Sequence, residues 1–231
     1  MPGTLCGSHA ADNGEWGVVS RPDSYPFAKK VEDKAISLGL LLVLSPLFAV
    51  ASGALAYDRL RNPANRGPWL YRERRVSGGS EFDLLKFRTL REDVIERDTG
   101  REAHARLYEA DEANLTWAGR RVLKPWYLDE LPQLVNVLRG DMSLVGPRPW
   151  PPSMVARQVA TGVTYRNEVM AGWTGPAQVA KGVTESSGYT ELDLAYVEAS
   201  RASSGLGLVR RDLGILWRTV KVMARGEGLR F

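Results

Sequence analysis

A run of 23 residues without a charged side chain, AISLGLLLVLSPLFAVASGALAY, separates Lys34 from Asp58. As a straight helix this run would extend about 34 Å, at about 1.5 Å per residue. That length is enough to cross the hydrocarbon layer of a bilayer. Because a buried helix of a soluble protein rarely stays uncharged for so long, the run predicts insertion into a membrane.

Pro46 stands at the middle of this run. It has no N–H, and its ring presses against the carbonyl of Leu42, so a helix kinks or breaks there. Ser45 can hydrogen-bond the backbone that the break leaves free. The pair Ser45-Pro46 therefore favours a re-entrant hairpin that returns to the face it entered. A Pro-kinked helix that spans the membrane is the alternative.

Basic residues flank the run on both sides. Lys29, Lys30 and Lys34 precede it, and six arginines follow: Arg59, Arg61, Arg66, Arg72, Arg74 and Arg75. Lys and Arg resist translocation, so both ends favour the cytoplasm. A hairpin satisfies both flanks, whereas a single span would export the lysines. In either case the chain after Asp58 is predicted to be cytoplasmic.

The net charge of +4 and the pI of about 9.3 suit anionic partners such as acidic lipids, phosphorylated substrates or nucleic acid. No Gly-Lys phosphate loop and no GxGxxG motif is present, which argues against an ATPase or an NAD enzyme. No interleaved basic and aromatic patch supports nucleic-acid binding. Cys6, His9 and His104 lack partners at ligand spacing, so neither a disulfide nor a Cys/His metal site is expected.

The remaining chain reads as a mixed α+β domain. Residues 1–28 lack the apolar core of a signal peptide and are interpreted as a flexible tail. From Trp69 to Leu90 two runs rich in apolar and aromatic residues flank the turn sequence SGGS, which predicts a β-hairpin. The highly charged stretch from Arg91 to Asn114 is interpreted as a solvated helix or loop.

The most informative string is LDELPQLVNVLRGDMSLVGPRP. Pro132 fits the first turn of a helix and Gly140 its end. Its predicted apolar face consists of Leu131, Leu134, Val135 and Leu138. Asp129 and Glu130 then fall at the helix N-terminus, where the dipole stabilises negative charge. Such a pair either caps the helix or meets a phosphate whose charge is offset by cations.

Three cations could serve a phosphate. Prolines on both sides hold Arg148 in an extended backbone, and its guanidinium offers a fork of donors suited to phosphate oxygens. Lys86 and Arg88 alternate along a predicted strand and would share one face. A rigid surface turn for Arg148 and a solvated strand edge for the other two are the alternatives.

The C-terminal stretch predicts a basic amphipathic helix. Its apolar stripe is Leu213, Leu216, Trp217, Val220 and Met223, and its cations are Arg210, Arg211, Arg218, Lys221 and Arg225. Such a helix can lie at a membrane surface, or it can simply pack on the core.

Together these motifs resemble the bacterial sugar transferase family, the monotopic phosphoglycosyl transferases that start glycan assembly on polyprenyl phosphate. The resemblance runs from about Lys29 to Gly228. It includes the Ser45-Pro46 break, KFRTL, the long LDELPQ to PRP string, and GWTGPAQV from Gly172. The chain departs from the usual pattern ahead of LDELPQ, where it has Trp126, Tyr127 and one extra residue after Gly119.

The resemblance implies a mechanism. Asp129 would attack the phosphorus next to the sugar of a UDP-sugar and release UMP, and the lipid phosphate would then take over the sugar phosphate. Glu130 would assist at the metal or as a base, and both carboxylates would hold Mg²⁺. Lys86, Arg88, Gln133 and Arg148 are assigned to phosphate or substrate binding.

The resulting expectation is an α+β, mainly helical monotopic membrane protein of the bacterial inner membrane. It has a flexible tail at 1–28, a Pro-broken re-entrant helix hairpin at 29–58 and a cytoplasmic catalytic domain at 59–231. That domain would hold a small β-hairpin and amphipathic interfacial helices. Its partners would be a UDP-sugar, polyprenyl phosphate and the membrane, but no nucleic acid. A homo-oligomer is left open, and so is a non-catalytic, membrane-seated interaction protein.

Overall fold

The computed structural model describes residues 25–62, 65–98, 108–180 and 188–224. Its helices are α1 (Phe27–Val43), α2 (Ser45–Arg61), α3 (Glu92–Asp98), α4 (Gln133–Arg139), α5 (Pro152–Ala160), α6 (Pro176–Val179), α7 (Gly188–Ala202) and α8 (Gly205–Ala224). Its strands are β1 (Leu70–Ser77), β2 (Ser80–Phe87), β3 (Ser143–Val145) and β4 (Gly172–Thr174). The described chain is thus mostly helical with a small hairpin, as predicted, and no closed sheet occurs among these residues. Cys6, His9, His104 and most of the predicted tail lie outside the described residues.

The apolar run forms two helices that meet at Leu44 with a bend of 59°. The break falls where the Ser-Pro pair predicts it, because Pro46 cannot donate to the carbonyl of Leu42. The Ser45 hydroxyl donates to that carbonyl instead, at 2.8 Å. Among the described helices, none alone is long and apolar enough to cross a membrane. The bent pair α1–α2 meets that criterion by length and composition.

One face of the first turns of α1 is polar and buried. Lys29 Nζ lies 2.7 Å from Asp33 Oδ1, 2.7 Å from Asp212 Oδ2 of α8 and 3.6 Å from Glu32 Oε2. The backbone N–H of Leu144 in β3 donates to Asp33 at 3.1 Å. We call Lys29, Glu32, Asp33 and Asp212 the Lys29 cluster. It ties α1 to α8 and β3, so the start of the predicted membrane segment 29–58 lies within the protein core.

The predicted hairpin is confirmed. Strands β1 and β2 pair antiparallel from Leu70 opposite Phe87 to Ser77 opposite Ser80. The two central turn residues, Gly78 and Gly79, have φ values of 54° and 75°. Two consecutive positive φ angles define the tight turn that matches strand twist, and glycine adopts them without steric cost.

Two of the three apolar clusters among the described residues join most of the helices and strands. The larger joins β2, α4, β3, α7 and α8 through Phe82, Leu84, Leu134, Val137, Met142, Leu144, Val145, Tyr196, Leu208 and Ile215. The second joins α2 to the segment ahead of α4 through Ala51, Leu55, Phe87, Ala118, Leu123, Leu128 and Leu131. Because Leu128 precedes Asp129 directly, α2 supports the turn that carries the acidic pair.

Two predicted helix faces differ from the structure. In α4, Val137 is fully buried while Val135 and Leu138 are half-buried. Asn136 is buried too, because its amide accepts from the N–H of Leu85 at 2.9 Å and donates to the Asp83 carbonyl at 2.8 Å. This helix is short and packs against both α1 and β2, so one apolar stripe cannot describe it.

In α8 the core face is Leu208, Asp212 and Ile215 rather than the predicted stripe. Leu216 packs partly against the larger cluster. Three stripe residues point outward, with exposures of 49% for Leu213, 60% for Trp217 and 56% for Val220. The helix therefore packs on the core and also presents an outer apolar face beside its cations.

Candidate active site

Asp129 and Glu130 lie in a single 3₁₀ turn, Leu128–Glu130, and not in the first turn of α4. Pro132 occupies the N-cap of α4 without a side-chain hydrogen bond, so neither carboxylate caps the helix there. Tyr127, just before the turn, has a left-handed φ of 53°. This conformation costs a non-glycine residue free energy, and it lies directly ahead of the acidic pair.

A π-helical turn lies in the segment that leads to the acidic pair. Residues Gly119–Leu123 form a π-helical turn in which the N–H of Lys124 donates to the carbonyl of Gly119 at 3.0 Å. A π turn holds one more residue than an α turn, and such turns occur often at functional sites. A side chain at Gly119 would meet the backbone oxygen of Thr89 at 2.4 Å, so the turn lies flat against the end of β2.

Asp129 is only 4% exposed. Burial raises the pKa of its carboxyl, the nearby charge of Glu130 raises it further, and Lys124 and Lys86 oppose the shift, which leaves that pKa at about 7. The carboxylate thus sits in a nonaqueous setting where few water molecules compete for it. A weakly solvated carboxylate is more reactive toward an electrophile than one in bulk water.

Glu130 is bound to Arg148, with 2.8 Å between Oε1 and Nη2. Burial would raise the pKa of Glu130, but the charges of Arg148, Lys86 and Lys124 outweigh it and lower that pKa to about 2. Glu130 is therefore ionised at neutral pH. The structure brings together three predicted site residues, Asp129, Glu130 and Arg148, with Lys86 close enough to act on both carboxylates.

Lys86 projects from β2 toward Glu73 of β1, with 3.4 Å between Nζ and Oε2. Arg75 forms an ion pair with the same carboxylate. Glu73 and Arg75 were not predicted as site residues. Their alternation along a strand that pairs with the KFRTL strand is the signal that could have found them.

Lys124 and Glu109 were missed as well. Lys124 Nζ lies 2.5 Å from Glu109 Oε2, and the Thr89 hydroxyl donates to the other oxygen at 2.7 Å. Glu109 lies in the charged stretch interpreted as solvated, yet its side chain is 8% exposed. Only the three-dimensional contact with Thr89 and Lys124 distinguishes it from its neighbours, so no sequence pattern indicates it.

The structure does not place Arg88 beside Asp129, Glu130 and Arg148. Strand β2 ends at Phe87, and the Arg88 guanidinium is buried against Glu92, with 2.6 Å between Nη1 and Oε2. It also donates to the backbone carbonyl of Asn65. The predicted shared face of Lys86 and Arg88 is therefore not a shared site, because α3 and the segment after α2 take up the charge of Arg88.

The loop that carries Arg148 is fixed through its backbone. The N–H of Gly146 donates to the backbone carbonyl of Thr174 at 2.9 Å, and the N–H of Gly172 donates to the backbone carbonyl of Pro147 at 2.8 Å. A side chain at Gly172 would meet the nitrogen of Gly146 at 2.0 Å, so only glycine permits this approach. Arg148 itself is 45% exposed and accessible from solvent.

Gln133, the other predicted substrate ligand, is the first residue of α4 and is 3% exposed. Its amide nitrogen has no hydrogen-bond partner within the described part of the chain. Buried amide donors normally find a partner, so this one is available to a bound molecule. Its role in substrate binding stays a prediction.

The donor set is compatible with the expected magnesium ion. No group of three or more His, Cys, Asp or Glu side chains surrounds one point in the described ranges. Magnesium commonly binds one or two carboxylates and takes its remaining ligands from water and substrate phosphates. Asp129 and Glu130 supply such a pair of adjacent oxygen donors, and their mutual repulsion, which raises the pKa of Asp129, would be relieved by a cation.

Known proteins are similar to this chain in sequence. The sequence profile of the family described as bacterial sugar transferase matches residues 24–226. The chain is 36% identical over 195 residues to the UDP-glucose:undecaprenyl-phosphate glucose-1-phosphate transferase of Caulobacter vibrioides, which covers 83% of this chain and 68% of that protein. It is 32% identical over 215 residues to the undecaprenyl-phosphate galactose phosphotransferase of Salmonella typhimurium, covering 87% and 41%.

A third relative, the undecaprenyl-phosphate glucose phosphotransferase of Komagataeibacter xylinus, is 34% identical over 157 residues. That match covers 65% of this chain but 27% of the relative. The region that is similar in these proteins contains the string from LDELPQ to PRP, which agrees with the family resemblance of the motifs. Because the family profile matches nearly all of it, the chain belongs to the bacterial sugar transferase family.

Proposed function

We propose that this chain transfers a sugar 1-phosphate from a UDP-sugar to polyprenyl (undecaprenyl) phosphate and so starts the assembly of a glycan, such as an exopolysaccharide, a capsule, an O-antigen or a glycoprotein. The observation that carries the proposal is the position of Asp129. A buried carboxylate next to an ionised Glu130 lies within the field of Lys86 and Lys124. The names of the relatives give this reaction class for those proteins.

The cations around the pair can offset the charge of the substrate. A UDP-sugar and a lipid phosphate both bring negative charge toward two carboxylates, and this repulsion opposes the reaction. Arg148 offers a fork of donors for phosphate oxygens, and Lys86 and Lys124 add point charges behind the carboxylates. Positive groups aimed at the phosphorus lower the barrier by stabilising charge in the transition state.

The proposed reaction has two displacements at one phosphorus. In the first, a carboxylate oxygen of Asp129 bonds to the phosphorus that bears the sugar, and the bond from that phosphorus to the UMP oxygen breaks. In the second, an oxygen of the lipid phosphate bonds to the same phosphorus and the aspartyl oxygen leaves. The products are UMP and polyprenyl-diphospho-sugar, and Asp129 is regenerated as a carboxylate.

Magnesium would be held by Asp129 and Glu130 together with substrate phosphates, where it would neutralise phosphate charge. Within the chain, Arg148 keeps Glu130 ionised and oriented at 2.8 Å. The negative charge of Glu130 in turn raises the pKa of Asp129, which makes its carboxylate more basic. Each of these residues thus prepares the nucleophile before the sugar nucleotide arrives.

The bent helix pair supports a re-entrant seat in one leaflet of the bacterial inner membrane. Exposed apolar residues cluster near the break: Leu38, Leu42, Val43, Leu47 and Val50. The outer face of α8 adds Trp217, with Lys221 over its ring at 5.2 Å, a combination suited to a lipid headgroup region. A catalytic domain on the cytoplasmic face would then meet the soluble UDP-sugar and the lipid phosphate at one interface.

Release of UMP tests the proposed function. Membranes that contain the protein would be incubated with magnesium and, in turn, UDP-glucose, UDP-galactose and UDP-N-acetylgalactosamine. With at least one donor we expect continuous UMP release when polyprenyl phosphate is added. Without the lipid we expect a single burst of about one UMP per enzyme, as for other covalent intermediates. No UMP from any donor would favour the non-catalytic alternative.

A further inference from the structure

A second arginine lies behind the loop that carries Arg148. Arg166 belongs to the short helical segment Tyr165–Asn167 and is 7% exposed. Its Nη1 donates to the backbone carbonyl of Arg148 at 2.5 Å, its Nε to Gln158 at 3.0 Å and its Nη2 to Asp193 at 3.1 Å. One guanidinium therefore joins the loop to α5 and α7.

The same guanidinium lies over an aromatic ring. The central carbon of Arg166 lies 3.9 Å from the centre of the Trp150 ring. A guanidinium held over an indole ring at this distance is attracted by the ring's electrons. The carbonyl of Trp150 also accepts a hydrogen bond from Val76 of β1 at 2.9 Å. The loop is thus held on either side of Pro149, by Arg166 at two points and by β1 at a third.

The hydrogen bond from Arg166 restrains the backbone of Arg148, and the Arg148 side chain remains free to bind Glu130. The Arg148 carbonyl is bound to Arg166, while its guanidinium reaches Glu130 at 2.8 Å. Arg148 is 45% exposed, so packing around its own side chain does little to fix it. The position of its α-carbon, which the Arg166 hydrogen bond restrains, therefore decides where the guanidinium fork lies.

We propose that Arg166 is a positioning residue for Arg148. It fixes the backbone from which Arg148 binds Glu130 and the phosphate of the sugar nucleotide, without touching the substrate itself. The inference rests on the proposed function. Lysine could not replace it, because its three N–H donors share one nitrogen and cannot reach the three separate acceptors that Nε, Nη1 and Nη2 of Arg166 bind.

A double-mutant cycle tests this role through kcat/KM for the UDP-sugar that releases UMP, in the full chain held in membranes. Arg148→Gln and Arg166→Met should each lower kcat/KM by about 100-fold. The double variant should fall within about threefold of Arg148→Gln, because Arg166 acts through Arg148. Arg166→Lys should resemble Arg166→Met. Losses that multiply to about 10⁴-fold would show that Arg166 acts independently of Arg148 and would overturn the proposal.

Arg157→Met is the matched control, since Arg157 is an exposed arginine one residue before Gln158 on α5. It should keep the activity of the unaltered chain. If neither the unaltered chain nor Arg157→Met releases UMP, the proposed function is wrong. That outcome differs from a failure of the role proposed for Arg166, in which both of these proteins are active. If Arg166→Met does not fold, Arg166→Lys and Trp150→Leu replace it in the cycle, and multiplicative losses with both would again overturn the proposal.

Discussion

The Lys29 cluster and the residues around Asp129 both bury carboxylates beside cations, but they differ in access. In the Lys29 cluster every member is at most 9% exposed, and one lysine serves three carboxylates. Around Asp129, Glu130 has a side-chain exposure of 18% and Arg148 of 45%. A closed cluster can only hold elements together, whereas an open one can exchange its partners for a substrate. Buried charge alone is therefore weak grounds for assigning catalysis.

The difference predicts that substitutions in the two regions affect different quantities. The largest effect on activity is expected for Asp129→Asn, because asparagine cannot form the phosphoryl bond. We expect turnover to fall by about 10⁴-fold or more, as for other lost nucleophiles. UMP release measures it, and the thermal midpoint should change little. Asp83→Asn, at an exposed carboxylate of β2, is the control and should keep full activity. Equal activity in both variants would end the distinction between the two regions.

The largest effect on stability is expected for Lys29→Met. It leaves Glu32, Asp33 and Asp212 buried without their shared cation, which should lower the free energy of unfolding by about 3–5 kcal/mol. Urea unfolding in detergent measures the loss. Lys34→Met, at an exposed lysine of the same helix, should leave stability unchanged. Should the folded fraction of Lys29→Met also lose kcat, the cluster would belong to the site after all.

The two cations of KFRTL sharpen the comparison, since Lys86 lies in β2 and Arg88 directly follows the strand. Lys86→Met removes a charge beside both carboxylates and should lower kcat/KM by about 100-fold with little change in stability. Arg88→Met leaves Glu92 and the Asn65 carbonyl without their donor and should cost about 1–3 kcal/mol of stability. The kcat/KM of its folded fraction should match the unaltered chain. Steady-state kinetics and thermal unfolding of both variants test these expectations. A loss of kcat/KM in Arg88→Met without a loss of stability would mean that Arg88 belongs to the site.

The smallest effect is expected at the helix break. Ser45→Ala removes the hydrogen bond to the Leu42 carbonyl, and side-chain hydrogen bonds within membranes contribute about 0.6 kcal/mol on average. The thermal midpoint should fall by a degree or two relative to Ser52→Ala, a control in the same helix, while kcat/KM stays constant. A large loss of activity would mean that the break positions Asp129 more directly than the α2 contacts indicate.

What the sequence predicted was set by local chemistry. Pro46 breaks its helix and Gly78-Gly79 turns its hairpin whatever the rest of the chain does. Gly140 ends α4 with a φ of 81° for the same reason. These features depend on a few neighbouring residues, so a sequence pattern is enough to place them.

What the sequence missed depends on contacts distant in the chain. Glu109 becomes part of the site only because Lys124 and Thr89 meet it, and Arg88 leaves the site because Glu92 lies beside it. Arg166 donates a hydrogen bond to the backbone of Arg148, 18 residues away in the chain. Partners of this kind follow from how elements pack, and no pattern along the chain fixes that packing.

The central claim is that the Asp129 carboxylate takes the sugar phosphate before the lipid does. Intact-protein mass spectrometry after incubation with a productive UDP-sugar, magnesium and no lipid acceptor tests it directly. We predict a mass increase of one sugar phosphate on the unaltered chain, its loss on adding polyprenyl phosphate, and no increase for Asp129→Asn. An adduct that persists in Asp129→Asn would contradict the claim.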